Sequence, residues 1–203
     1  MTERAPPGPT PSLAARDARI KSLIEEGWEI FERFDEDVRQ KRFHPFVAAD
    51  YDRVLRALVP VCAPGMRFVE WGSATGVITI MASLLGCDAY GIELDPSLVR
   101  VARGLATRFE SAATFAEGSF IPTGYRWRPA TGDGRLGTIG DGPSAYPILG
   151  RALDDFDLVY AYPWGGEEPM MLDLMRVYGR RGGRLLMHGD SGVRVYQDGR
   201  ELV

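Results

Sequence analysis

Apolar positions recur along this chain with two periods, and each stretch predicts an element. Between Leu13 and about Arg42, Ile20, Leu23, Ile24, Gly27, Phe31, Phe34 and Val38 share one helical face, with Glu25, Glu26, Glu29, Glu32, Glu36 and Asp37 opposite. Proline disfavours helical backbone in the residue before it, so Phe43-His44-Pro45-Phe46 should end this helix. A second helix is expected over Val47 to Val61, followed by the turn Ala63-Pro64-Gly65. The next period is that of a strand, Phe68 and Val69, and it returns to helical spacing at Val77, Ile78, Ile80, Met81, Leu84 and Leu85. Gly86 supplies a stop where a left-handed residue is easiest, and Ala89 to Ile92 is a short apolar run suited to a strand buried on both faces.

The alternation continues. Asp95-Pro96 is an N-cap and first-turn pair opening a helix to Glu110. Ala113 to Ala116 and Asp157 to Ala161 read as strands, Met170 to Tyr178 as a helix, Arg184 to His188 as a strand, and Val193 to Val203 as a hairpin turning at Asp198-Gly199. Strands alternating with helices predict an α/β fold: a Rossmann-like, mostly parallel twisted sheet flanked by helices, with an N-terminal helical extension and a C-terminal β-hairpin. The expected organisation is a disordered proline-rich tail over 1–12, a helical cap over 13–62, and an α/β domain over 63–203. Within that domain 121–150 is a long loop insertion, 30 residues with seven glycines and four prolines and no sustained period. A loop of that length is usually functional or disordered. Tyr125, Arg126, Trp127 and Arg128 within it read equally well as a substrate grip or as ordinary loop residues.

Composition narrows the function. A formal net charge of −4 and a pI near 5.3 argue against a nucleic acid or an anionic membrane as partner. Cys62 and Cys87 show neither metal-ligand spacing nor a disulfide framework, which suits a cytoplasmic location. Two histidines cannot build an all-histidine metal site, and no metal is expected. No run approaches the roughly 20 apolar residues of a membrane span.

The chemistry concentrates between Met66 and Asp95, which reads as a βαβ unit. The dinucleotide fingerprint G-x-G-x-x-G leaves a helix N-terminus free for a diphosphate. Here the small residues are Gly72, Ala74 and Gly76, and a carboxylate, Glu70, precedes them. Glu70 would repel a diphosphate across a low-dielectric crevice and suits a ligand carrying an ammonium group. Glu93, ending the second strand, is placed to accept hydrogen bonds from ribose hydroxyls.

On Glu70, Gly72, Ala74, Gly76 and Glu93 the chain resembles the class I S-adenosylmethionine-dependent methyltransferases, and the resemblance runs from about Phe68 to His188. It implies S-adenosyl-L-methionine as cofactor, held by Glu70, Trp71, Gly72, Ser73, Gly76, Glu93, Leu94 and, near the adenine, Glu117, Gly118 and Ser119. It also implies methyl transfer to a small molecule or a protein amine. Ala74 stands where that family usually has glycine, which a methyl group tolerates if its φ is negative. The acceptor is expected near Tyr162, Trp164 and His188, at the ends of the fourth and fifth strands, with aromatic faces suited to a cationic group. Ala161-Tyr162-Pro163-Trp164 matches the adenine-N6 methyltransferase motif only at Pro163 and Trp164, and Ala161 offers no acceptor for a base amine. The alternatives are a nicotinamide-dependent oxidoreductase and a non-catalytic S-adenosylmethionine-binding module. Glu93→Ala and Gly76→Val are each expected to lose cofactor binding with the fold intact.

Overall fold

Four of the five residues of β1 (Arg67–Trp71) are buried, and the sheet grows outward from it on both sides. The computed structural model describes residues 13–126 and 142–202; the expected tail, Trp127 and Arg128 lie outside the described residues. The strands are β2 (Asp88–Glu93), β3 (Thr114–Glu117), β4 (Leu158–Ala161), β5 (Arg184–Gly189), β6 (Gly192–Gln197) and β7 (Arg200–Leu202). Their order is β3-β2-β1-β4-β5-β6-β7, with β1 to β5 paired in parallel and β6 and β7 antiparallel. The chain winds outward from β1 to β3 and then restarts on the other side at β4. This is the Rossmann-like reversal that opens a crevice at the carboxyl ends of β1 and β4.

Side chains alternate across a strand, so each central strand feeds two cores. Phe68, Leu158 and Leu186 face α1 (Leu13–Phe34), α2 (Tyr51–Leu58), α3 (Val77–Leu84) and α4 (Pro96–Arg108). Val69, Val159 and Met187 face α5 (Tyr146–Leu149) and α6 (Glu168–Tyr178), which contribute Tyr146, Met170, Met171 and Leu174. α1 buries Ile20, Leu23 and Ile24 in the first of these cores, which is why its apolar stripe is on that face.

Three local expectations are corrected. The first helix is α-helical only to Phe34, after which Asp35–Arg39 forms a π-helical turn. α2 begins at Tyr51 rather than Val47, because the Asp50 carboxylate caps it by accepting the Arg53 N–H at 3.0 Å. His44 to Ala49 are thereby left without regular secondary structure, and part of that segment lies along the crevice. Ala74 has a positive φ of 45°, so the condition for an unstrained alanine there is not met. The long insertion contains α5 and a parallel bridge between Ser119 and Ser144 among its described residues. The terminal hairpin turns at Asp198 and Gly199, φ 49° and 76°, the paired left-handed residues of a type I′ turn.

Candidate functional site

Over the carboxyl ends of β1 to β5 lies a cavity of about 350 Å³, within the range of small-molecule sites. Gly72 and Ala74 form its floor, and Glu93, Leu94 and Asp95 at the tip of β2 form one wall with Leu98. Gly118 and Phe120 close it beyond β3, Tyr162 to Gly165 rise from the tip of β4, and Asp190 reaches it from the β5–β6 turn. The irregular segment His44 to Val47 borders it.

Two carboxylates are held in unlike ways. Strand alternation turns Glu70 toward α3, where its Oε2 accepts from the Thr79 N–H at 2.9 Å and from the Thr79 hydroxyl. It is 4% exposed. Burial pushes its pKa up to about 8, against the pull of the Thr79 donors, and the Glu93 charge adds to the rise. Oε1 accepts no hydrogen bond from the described residues. Glu70 lies not on the main cavity but on a smaller one of about 40 Å³ beside it, which shares Phe46, Val47, Gly72, Ala74 and Tyr162 with the first. The buried Ser73 hydroxyl borders the same small void and has no partner among the described residues.

Glu93 is on the main cavity. One carboxylate oxygen accepts the Ala74 N–H at 2.8 Å and the other the Asp95 N–H at 2.9 Å, so β2 and the glycine turn are stitched together through it. Burial raises its pKa and these donors oppose the rise. A carboxylate has about four acceptor sites, so room remains for a further donor beside these backbone groups. Ala74 sits at φ 45° because its N–H is drawn to Glu93, a conformation that costs a non-glycine residue about 1–2 kcal/mol.

Asp95 is engaged by its own helix, accepting from Ser97 N–H at 2.6 Å and more loosely from Leu98 N–H. It also meets His44 Nε2 at 3.2 Å. His44 Nδ1 accepts the Phe46 N–H at 3.1 Å, which assigns the proton to Nε2 and makes it the donor to Asp95. Burial works to raise the Asp95 pKa, and the Ser97 and His44 donors outweigh it, so the carboxyl ends below its ordinary value.

The remaining sequence candidates separate. Gly72, Glu93, Leu94, Gly118, Tyr162 and Trp164 line the cavity. Trp71 faces the opposite core, donating to the Tyr146 hydroxyl at 3.0 Å and stacking on Phe120 at 5.1 Å. Gly76 caps α3 at φ 80°, and a Cβ there would lie 2.6 Å from Phe115 and 2.8 Å from Ala102. Its glycine is demanded by packing, which corrects the expectation that Gly76→Val leaves the fold intact. Glu117 is exposed at the end of β3, and Ser119 is buried with its hydroxyl accepting the Ile121 N–H at 3.1 Å; neither lines the cavity. His188 stands behind Tyr162, rings 4.6 Å apart, with Nδ1 3.0 Å from the Tyr160 hydroxyl. It is buried and off the cavity, and burial lowers its pKa, so it supports Tyr162 instead of meeting an acceptor. Tyr125 of the long insertion donates to Asp173 at 2.8 Å, away from the cavity.

Residues not singled out include His44, Phe46, Phe120 and Asp190. The one signal that bore on them was Phe43-His44-Pro45-Phe46, read only as a helix break. Among the described residues no cluster of three or more potential ligands could hold a metal ion, and no helix is long and apolar enough to cross a membrane.

No family model matches the sequence. A ribosomal protein L11 methyltransferase of Paraburkholderia xenovorans (strain LB400) is 34% identical over 62 residues, 30% of this chain. That stretch is 21% of the relative, so the chain matches about a fifth of its length. Among solved structures, an RNA methyltransferase from Salinibacter ruber in complex with S-adenosyl-L-homocysteine aligns at TM-score 0.49 and 16% identity, over 70% of this chain and 76% of that one. A precorrin-6y C5,15-methyltransferase from Geobacter metallireducens GS-15 aligns at TM-score 0.47 and 14% identity, over 70% and 63%. By its strand order the chain has a Rossmann-like α/β fold, and over a short stretch of sequence it is similar to a methyltransferase.

Proposed function

We propose that the protein is an S-adenosylmethionine-dependent methyltransferase acting on a small molecule or a protein amine. One observation carries this reading: the Glu70 carboxylate already occupies the N-terminus of α3 through the Thr79 N–H. A dinucleotide sets its diphosphate on that helix end. Here it would meet the Glu70 carboxyl group in its place, and among the described residues no lysine or arginine lines the cavity to receive a diphosphate. The site therefore disfavours a nicotinamide dinucleotide and favours a nucleoside with a cationic tail.

The donor set fits that group. Glu70 Oε1 and the orphaned Ser73 hydroxyl border one small void and together suit an ammonium. Glu93 keeps acceptor capacity for a ribose hydroxyl, and Leu94, Leu98 and Phe120 form an apolar slot for a base. When bound, S-adenosylmethionine supplies an electrophilic methyl group on a sulfonium sulfur. The chain's part is alignment and exclusion of water, and alignment alone supplies roughly 7–11 kcal/mol of such a barrier. The segment His44 to Val47 roofs the cavity, and its tie to Asp95 closes it on the β2 side. The acidic charge balance and the acidic cavity support an acceptor other than nucleic acid. Two free cysteines support a cytoplasmic location.

Calorimetric titration with S-adenosyl-L-homocysteine and, separately, NAD tests the reading. The first should bind, and Glu93→Ala should weaken it at least tenfold while the circular dichroism spectrum is kept. Binding of NAD but not S-adenosyl-L-homocysteine would overturn it.

A further inference from the structure

The wall of the cavity at the tips of β4 and β5 lies apart from the groups assigned above to the cofactor, and its chemistry bears on the acceptor. In the order β3-β2-β1-β4-β5, the tips of β2 and β5 are three strand spacings apart, roughly 14 Å. The β2 side carries the groups assigned above to the cofactor. The far side carries Tyr162, Pro163, Trp164, Gly165 and Asp190. Among the described residues no lysine or arginine lines the cavity; its acids are Glu93, Asp95 and Asp190. Glu93 is tied to two backbone N–H groups, and Asp95 to its helix cap and His44. The Asp190 carboxylate has no hydrogen bond or ion pair from the described residues. Arg53 is paired with Asp50 at 2.8 Å and reaches the Asp190 carbonyl, not its carboxylate, at 3.4 Å.

This wall is built rigidly. Asp190 and Ser191 form the two-residue turn between β5 and β6, closed by the Gly189–Gly192 pair. The Trp164 N–H donates to Glu167 at 2.8 Å, and Phe43 packs edge-on against the Trp164 ring at 5.9 Å. Tyr162 is backed by His188.

Resting on the methyltransferase reading, we infer that Asp190 with the aromatic pair Tyr162 and Trp164 selects an acceptor that arrives as a primary ammonium on a flexible chain. An anionic acceptor would enter a cavity lined, among the described residues, by three carboxylates and no lysine or arginine. A neutral flat acceptor would stack on the rings and leave Asp190 without a role. A primary ammonium satisfies both, a carboxylate partner and aromatic faces for the cation. Before transfer the ammonium, placed by Asp190, gives up one proton to the water of the open cavity. The freed nitrogen lone pair forms the N–C bond as the C–S bond breaks, the bonding pair stays on sulfur, and a secondary ammonium and a neutral thioether result.

The same chemistry belongs to a free diamine and to a lysine side chain, and two arms separate them. Protein saturated with S-adenosyl-L-homocysteine is titrated calorimetrically with 1,5-diaminopentane, a lysine-containing pentapeptide, hexanol and uridine. At least one amine is expected to bind about tenfold more tightly than hexanol or uridine, and to weaken about tenfold in Asp190→Asn. Binding of the diamine assigns a small amine; binding of the peptide alone assigns a protein side chain. Uridine or hexanol binding as tightly as either amine, or an Asp190→Asn variant with parental amine affinity, overturns the inference while S-adenosyl-L-homocysteine binding leaves the methyltransferase reading standing. Failure to bind S-adenosyl-L-homocysteine removes both.

Discussion

Replacing Glu70 by glutamine should make the cofactor-free protein more stable in alkaline solution than the parent. The carboxyl is buried between α3 and the β1 turn with no cation beside it among the described residues; Glu93, Tyr51 and Tyr160 are titratable neighbours. Its pKa is pushed from the ordinary 4.5 up to about 8, burial being the main cause. A group protonated more readily in the folded than in the unfolded chain contributes stability that is complete below pH 4.5 and is lost as pH rises through 8. At about 1.4 kcal/mol per pH unit, the loss between those limits is on the order of 5 kcal/mol, with roughly 3 kcal/mol already gone at pH 7. Glutamine keeps an oxygen for the Thr79 donors and cannot ionise. Urea unfolding of both proteins at pH 5, 7 and 9, followed by far-ultraviolet circular dichroism, isolates the effect as a difference of differences. The variant should gain several kcal/mol on the parent from pH 5 to pH 9. A difference constant to within about 1 kcal/mol over that span would refute the claim that Glu70 is buried without a cationic partner. Adding S-adenosyl-L-homocysteine should shrink the gain, because its ammonium would replace the proton.

Ala74→Gly relieves a left-handed alanine at φ 45° and should raise stability by about 1 kcal/mol, or roughly 2–4 °C in thermal melts. No rise would mean that the Glu93 contact, not the backbone, sets the energy there. Gly76→Ala places a methyl 2.6 Å from Phe115 at φ 80° and should cost about 2–4 kcal/mol in urea unfolding; a cost below 1 kcal/mol would contradict the packing described. Tyr160→Phe removes the buried partner of His188 Nδ1 and should cost about 1–3 kcal/mol, read in the same titration. A neutral substitution there would show that His188 finds another donor.

The α/β alternation, the parallel core of the sheet and the hairpin at its edge were legible in the amino-acid pattern, because hydrophobic period and glycine or proline punctuation are local properties. So was the acidic pair Glu70 and Glu93, which brackets a motif contiguous in the chain. Local pattern could not say that the two acids occupy different voids. Strand alternation and the arrival of Thr79 from α3 decide that, and only packing brings these elements together. Nor could it say that Gly76 answers to Phe115, 39 positions away, or that Trp71 belongs to the opposite core. The Asp50 cap, which keeps His44 to Ala49 out of α2 and lays part of that segment over the crevice, overrode a helical pattern that ran on to Val47. Asp190 carries no motif at all. It joins the cavity because β6 turns back antiparallel to β5 at that point, a choice made by the sheet edge and not by the residues beside it.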